Sequence, residues 1–389
     1  YDTRTLKPLH PAYVSTVDSG NLAACLVILR EALTEYGRAD LAASCDELLS
    51  PMSFEPLYDE AHHLFSIGID TCRANITSSF YDLMASEART AGFVAIARGD
   101  VPRRHWRSLS RAQVEKDGYR GMVSWTGSMF EYLMPRLFFE SAEGSLLYES
   151  MRFAVGVQKN RGKNKNLPWG ISESAFYALD PSLNYRYKAH GCGALALKRN
   201  MNKEFVVSPY SSFLALCCGV KDVVKNLRSM ERLEAAGKYG FWEAIDFSEG
   251  RAAGKNGEVV YCVMAHHLGM SLVAIANALC ENIMPHRLMR DPSMSAHACL
   301  LDEKLPLGGV LLRRRENKLP DKPPRAGSIY WEKRGSFVDF DSPVCCVLSN
   351  GSYSVMLTDS GVTKARCGDF TPYFTADEHS ALTHGLEYF

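Results

Sequence analysis

"NLAACLVILREALTEYG" (residues 21–37) places apolar side chains three and four positions apart and closes on a glycine, the pattern of an amphipathic helix with its stop signal. Asp18 and Ser19, just ahead of it, are candidate caps for its first turn. Outward from this stretch the same period returns at 39–49, 74–98, 110–115, 127–138, 143–159, 207–217, 219–236 and 261–281, so helix is expected to dominate from about 19 to 303. The connections between these helices are crowded with Gly, Trp, Tyr, Asp and Arg. Long helices joined by chemically rich loops suit a mainly α fold, an α-helical toroid whose loops at one end build a cleft. No sequence repeat recurs at a fixed period, which argues against a regular solenoid.

Composition changes at "LLRRRENKLPDKPPRAG" (311–327), where three prolines and a charge cluster read as a surface linker. Beyond it, "SPVCCVLSNGSYSVMLTDSG" (342–361) reads as two strands joined at Asn350-Gly351, a strong hairpin signal. These marks divide the chain into a helical body (1–305), a Pro/Arg/Lys-rich linker (306–330) and a small C-terminal β segment (331–389). A lone hairpin is marginal in water, so this segment is expected to dock on the body or to begin a further β-domain.

The 389 residues carry 44 basic and 44 acidic side chains, so no bulk charge is available to grip nucleic acid or anionic lipid. A neutral or small-molecule partner is the default. Twelve cysteines include no CxxC pair, and several lie in apolar runs such as "FLALCCGV"; they read as reduced, mostly buried thiols of a cytosolic environment. No metal-ligand spacing, phosphate-cradling glycine motif or other cofactor signature is present. No apolar run reaches the roughly 18 residues that span a bilayer, and no signal peptide opens the chain. It starts on Tyr1 rather than methionine, as expected of a piece of a longer protein.

Two glutamates stand out. Read as a helix, "NITSSFYDLMASEARTAGFVAIARG" (75–99) has an apolar stripe through Phe80, Leu83, Met84, Ala91 and Val94, and Glu87 falls on it. A carboxylate on a packed face should titrate high, as a general acid must, unless Arg89 or another arginine pairs with it. In "PWGISESA" (168–175), Pro168 and Gly170 fix a turn, and Ser172 or Ser174 could cap a short helix beginning there. Glu173 beside such a helix start would be held as an anion, or would be a capping residue and nothing more. One carboxyl pushed up and one pushed down is the division of labour in a glycosidase pair.

Trp125, Trp169, Tyr185, Tyr187, Tyr239, Phe241 and Trp242 fall in or beside loops with Asp18, Glu131, Glu243 and Asp246, a composition suited to a sugar cleft. Rings cover the C–H faces of a sugar and carboxylates bind its hydroxyls; any one of these residues could equally be core. In "MAHHLGMS" (264–271) the adjacent His266 and His267 point to different sides of a helix and cannot easily chelate one ion. One is expected to contact a sugar hydroxyl and the other to pack.

"YVSTVDSGN" (13–21), "LFSIG" (64–68), "FYDLMASEAR" (80–89), "SWTGSMFEYLMP" (124–135), "PWGISESA", "ALKRN" (196–200), "SPY" (208–210), "GKYGFWEAIDF" (237–247), "MAHHLGMS" and "LSNGSYSVMLT" (348–358) occur in one order. Together they resemble the middle domain of bacterial cyclic β-1,2-glucan synthases over most of the chain. The resemblance implies an (α/α)6 barrel of glycosidase-like architecture that cyclises linear β-1,2-glucan by transglycosylation with retention. It implies Glu87 as acid/base, in "YDLMASEAR", and Glu173 as nucleophile, in "PWGISES", with the glucan chain as both donor and acceptor. It further implies flanking synthase and phosphorylase-like domains in a parent protein on the cytoplasmic side of the inner membrane. "YKAHGCGALALKRN" (187–200) departs from a stretch that commonly runs closer to "YSNFGVPGLGLKRG", so acceptor binding and ring size do not carry over. Plain hydrolysis of the same glucan, and a non-catalytic glucan-binding domain, stand as the other readings.

Overall fold

The computed structural model describes residues 2, 4–10, 12–72, 75–181, 183–252, 254, 256–304, 345–358, 363–367 and 370–374. The chain divides into two compact units, Tyr1–Arg315 and Glu316–Phe389. The linker expected at 306–330 lies outside the described residues, as does the last part of the C-terminal segment.

The first unit is mainly helical. Its α-helices are α1 (Thr16–Glu35), α2 (Ala39–Leu49), α3 (Arg89–Arg98), α4 (Arg104–Ser108), α5 (Met129–Leu133), α6 (Leu146–Lys165), α7 (Pro209–Leu214), α8 (Val220–Glu231), α9 (Ala265–Leu279), α10 (Ile283–Leu288) and α11 (Pro292–Ser295). Among the described residues, three strand pairs and three three-stranded sheets fill the connections. The stretch at 21–37 is the body of α1, which starts earlier than the sequence suggested. Its cap is Ser15, whose hydroxyl accepts from the Asp18 N–H, and not Asp18 or Ser19. Gly37 follows the helix in the left-handed region (φ 71°), where a glycine carries no steric cost.

Gly20 of α1 fits α1 directly against α3: a Cβ there would lie 2.4 Å from the Ala91 backbone. One large apolar cluster runs from Val17 to Leu301 and includes Ala23, Val27, Phe93, Met129, Phe153 and Leu288. A second, smaller one joins Ala175, Phe176, Val206, Ala244 and Val260 beneath the strands that follow Glu173. No helix among the described residues is long and apolar enough to cross a membrane.

Three local expectations are corrected. Residues 75–88 are not helical; Asn75–Ile76 and Phe80–Tyr81 are short strands, the latter paired with Leu64–Ser66, and helix begins at Arg89. Residues 113–116 are a strand paired with Tyr119–Met122 across Asp117 and Gly118, both at positive φ, so the hairpin signal of Asp-Gly overrides the helical spacing. Ser174–Leu179 is a strand paired with Tyr185–Lys188, so no helix starts at Ser172 or Ser174. The thiols also differ from expectation. Cys45 and Cys192 are buried, whereas Cys25, Cys72, Cys217, Cys280, Cys299 and Cys367 are exposed, because larger aliphatic side chains fill the helix interfaces.

In the second unit, Cys345–Ser349 and Tyr353–Thr358 pair antiparallel, with Asn350 accepting from the Ser352 and Tyr353 N–H groups and Gly351 at φ 93°. Thr363–Cys367 and Phe370–Phe374 extend the pair into a four-stranded antiparallel sheet.

Candidate active site

The turn that carries Glu173 is pinned at every residue by side chains from several helices. Asn226 of α8 brackets Trp169, accepting from its N–H (3.1 Å) and donating to its carbonyl (2.8 Å). Ser211 donates to the Gly170 carbonyl (2.8 Å), and Gly170, at φ 114°, has no room for a Cβ against that hydroxyl. Gln158 of α6 repeats the bracket at Ile171 (2.7 and 2.8 Å). Ser172 accepts from the Phe130 N–H and is hydrogen-bonded to the Tyr210 hydroxyl, which donates to the Glu173 carbonyl (2.9 Å). A backbone fixed at Trp169, Gly170, Ile171 and Glu173, with the Ser172 hydroxyl held between them, delivers the Glu173 side chain in one orientation.

Glu87 arrives by a different route. It lies one residue before Ala88, the N-cap of α3, rather than within a helix, and its carboxylate accepts from the Ser86 hydroxyl (3.3 Å). Arg89 does not pair with it in the way proposed from the sequence. That guanidinium turns into the core and donates to the carbonyls of Met84 (2.9 Å) and Tyr132 (3.4 Å). Burial first, then the negative charges of Glu131 and Glu173, push the Glu87 carboxyl up to about 8.

Glu173 is also pushed up, by burial and then by Glu131 and Asp18; the Tyr187 hydroxyl and His267 act against this shift. The expectation that a helix start holds it as an anion is therefore replaced. The stabilisation comes from a tyrosine hydroxyl and an imidazole, because the residue precedes a strand. Pairing of that strand with Tyr185–Lys188 sets Tyr187 opposite Ala175, which brings its hydroxyl onto the Glu173 carboxylate.

Behind these groups, Glu243 accepts from the Ala175 N–H (3.2 Å) and lies 2.9 Å from Nδ1 of His267. His267 stacks face to face on Tyr210, with centroids 3.7 Å apart and planes 9° from parallel, and Tyr187 sits 3.4 Å from its Nε2. His266 is exposed, 3.4 Å from the same hydroxyl.

The other candidates divide. Asp18, in the first turn of α1, is exposed and within electrostatic reach of Glu173, Tyr81 and His266. Trp125 is 46 % exposed, and its indole N–H donates to Asp82 (2.8 Å), tying its loop to the segment that carries Glu87. Glu131 is the acidic member of the capping box that starts α5. It is buried and accepts from Ser124, Thr126 and Ser128, taking side-chain and backbone donors at 2.6–2.9 Å. Its lone pairs are spent on that loop, not offered to a ligand.

Trp169 is likewise core, 8 % exposed in the main cluster. Asp246 is fully buried and paired with Arg251 (2.6 Å), which also binds Glu204; Glu204 in turn pairs with Lys188 and His190. Tyr239 is 87 % exposed in the turn between two short strands, and Trp242 packs edge-on against Tyr261 and over Gly237. Neither has a recorded contact with the carboxylate group.

Tyr81 and Tyr210 belong to the site and were not selected from the sequence. Both hydroxyls are pushed upward, Tyr81 by burial and then Glu87, Tyr210 by burial and then Tyr187 and Glu173. Both stand in quoted motifs, but nothing local distinguishes a site tyrosine from a core one. Two cavities of about 410 and 240 Å³ meet at Arg136, and none of the candidate residues lines them. Among the described residues no cluster of three or more His, Cys, Asp or Glu side chains could hold a metal ion.

Comparison with known proteins bears on the family and the fold. A family model described as "Glycoamylase: Putative glucoamylase" matches residues 79–292. A cyclic β-(1,2)-glucan synthase, NdvB, of Rhizobium meliloti (strain 1021) is 36 % identical over 376 residues, covering 91 % of this chain. The chain spans 13 % of the length of that relative. Among solved structures, a putative glucoamylase from Bacteroides caccae ATCC 43185 superposes with a TM-score of 0.58 at 15 % identity, over 74 % of this chain and 71 % of its own. A mutant endo-β-1,2-glucanase from Talaromyces funiculosus, in complex with β-1,2-glucan, superposes with a TM-score of 0.60 at 13 % identity, over 77 % and 69 %. At these identities the likeness establishes the fold alone.

Proposed function

The chain belongs to the glycoamylase family of putative glucoamylases, and on that premise we propose that it is a retaining transglycosylase that cyclises linear β-1,2-glucan. The observation that carries this reading is the pair of mutually repelling, half-buried carboxyls, Glu87 pushed up to about 8 and Glu173 stabilised by Tyr187. The choice of polymer draws on the cyclic β-(1,2)-glucan synthase that resembles nearly the whole chain. In this reading the helices form an (α/α)6 barrel with the site in its mouth. The parent protein carries synthase and phosphorylase-like domains at the cytoplasmic side of an inner membrane.

Glu173 attacks the anomeric carbon of an internal glucosyl unit while Glu87 gives its proton to the departing oxygen, leaving a glycosyl-enzyme ester. Glu87, now a carboxylate, takes the proton from the 2-hydroxyl at the far end of the same chain. That oxygen displaces Glu173 and closes the ring. Ring closure wins over hydrolysis only if the chain end is held at high effective concentration and water is poorly placed. Asp18, Trp125, Tyr187, Tyr239, Trp242 and His266 are the groups assigned to sugar contacts. Glu131, Trp169, Glu243, Asp246 and His267 hold those contacts in place.

Glu87→Gln and Glu173→Gln test the assignment against linear β-1,2-glucan. Each is expected to lower turnover by about a thousandfold or more. Near-normal turnover in either would remove that residue from the mechanism. Hydrolysis of the same polymer is the second reading, favoured by the glucanase that shares the fold.

A further inference from the structure

Tyr187 has one hydroxyl proton and three close neighbours. Its hydroxyl is hydrogen-bonded to the Glu173 carboxylate, and its oxygen lies 3.4 Å from Nε2 of both His266 and His267. Once that proton is committed to Glu173, an imidazole facing the tyrosine oxygen must donate rather than accept. The two histidines are not equivalent in this respect. His267 is buried, stacked on Tyr210, and has the Glu243 carboxylate 2.9 Å from its Nδ1. A ring held in this way can offer Nδ1–H to Glu243 and Nε2–H to Tyr187. His266 is exposed on one side, 4.1 Å from that ring, and partial desolvation followed by the neighbouring His267 lowers its pKa.

The charges around Glu173 show why a donor on this side matters. Asp18 faces it from α1, Tyr81 and Glu87 from the segment before α3, Glu131 from α5, Tyr210 from α7, and Tyr187 and Glu243 from the strands. Every one of these is acidic or neutral; His266 and His267, from α9, are the groups that can bring positive charge. A half-buried nucleophile among carboxylates would otherwise take up a proton and stop.

We propose that His267, clamped by Glu243, is the positioning residue of the nucleophile: it donates Nε2–H to Tyr187 and so commits the tyrosine proton to Glu173, keeping that carboxylate ionised. This goes beyond a sugar contact or a packing role for His267, and it rests on Glu173 being the nucleophile. When the glycosyl ester forms, Glu173 loses its charge and Tyr187 loses its ionic acceptor. The arrangement therefore favours collapse of the ester and return of the anion.

The test compares the wild-type chain with Tyr187→Phe, His267→Gln and Glu243→Gln by two readouts. The first is the pH profile of turnover on linear β-1,2-glucan. The acid limb, which reports ionised Glu173, is expected to move to higher pH by about one unit or more in all three variants. A limb that stays in place while turnover falls equally at every pH would overturn the proposal and leave a structural role. The second needs no turnover. The ¹⁵N resonances of the His267 ring should report both nitrogens protonated at neutral pH, and the ¹³C carboxyl titration of Glu173 should move upward in His267→Gln. A neutral His267 tautomer, or an unmoved Glu173 titration, would also overturn it. Wild-type protein that leaves β-1,2-glucan untouched yet passes the second readout would sink the choice of polymer and keep His267 and Tyr187 as the groups that hold Glu173 ionised. Tyr187→Phe is near-isosteric at a side chain 38 % exposed, so it stays informative if the buried variants fold poorly.

Discussion

At pH 7 a carboxyl that titrates near 8 keeps its proton, and Glu87 does so because burial and the charges of Glu131 and Glu173 penalise its anion. The folded value lies above the ordinary 4.5, so the contribution of this group to stability is whole below about 4.5 and is lost as pH rises toward 8. Glu87→Gln removes that loss. The variant is expected to unfold at a higher temperature than wild type at pH 8, by on the order of 1–3 kcal/mol, with little difference at pH 4. Differential scanning calorimetry at the two pH values decides it, and equal shifts at both would contradict the burial argument. Glu131→Ala should behave in the opposite way, costing about 3 kcal/mol in urea denaturation because buried donors of Ser124, Thr126 and Ser128 lose their acceptor. At this scale the sequence was informative where a carboxylate stood in an unusual setting, as at Glu87 and Glu173. It was silent where the role depends on a distant ring, as for Tyr210 stacked on His267.

Periodicity found the elements that bury one face and little else. α2 was read at its observed bounds, and α1, α6, α8 and α9 within a few residues, since each packs one face on the main cluster. The segment before α3 was misread because its apolar spacing fits a helix, while pairing of Phe80–Tyr81 with Leu64–Ser66, a contact with another segment, decides its conformation. At Asp117-Gly118 the turn prevails over the helical spacing of 110–115, which alone suggested a helix there. Two element-level tests follow from the packing. Gly20→Val sets side-chain atoms against the Ala91 backbone and should cost about 1–3 kcal/mol, read from the denaturation midpoint. Asn226→Ala frees Trp169 in the Glu173 turn, and kcat should fall by about tenfold to a hundredfold with KM changing little. A change in KM alone would place Asn226 outside the positioning of the nucleophile.

Across the whole molecule, a neutral charge balance and a mainly helical body with irregular, polar connections were legible, and the balance left a neutral or small-molecule partner as the default. The assembly of the site was not, because it draws on α1, α5, α7, α9 and two strand pairs spread over some 250 positions, and long-range contacts leave no periodic trace. The settings of Glu87 and Glu173 differ from those the sequence suggested: Glu87 precedes the first turn of a helix and is pushed up, and Glu173 precedes a strand, where Tyr187 and His267 act against its upward shift. The most direct test is a mass spectrum of the products formed from linear β-1,2-glucan by the wild-type chain. Products each lighter by one water than the linear oligosaccharide of the same number of units, and absent with Glu173→Gln, are expected for ring closure. Linear products alone would contradict cyclisation and leave hydrolysis, and an unchanged substrate would contradict catalysis.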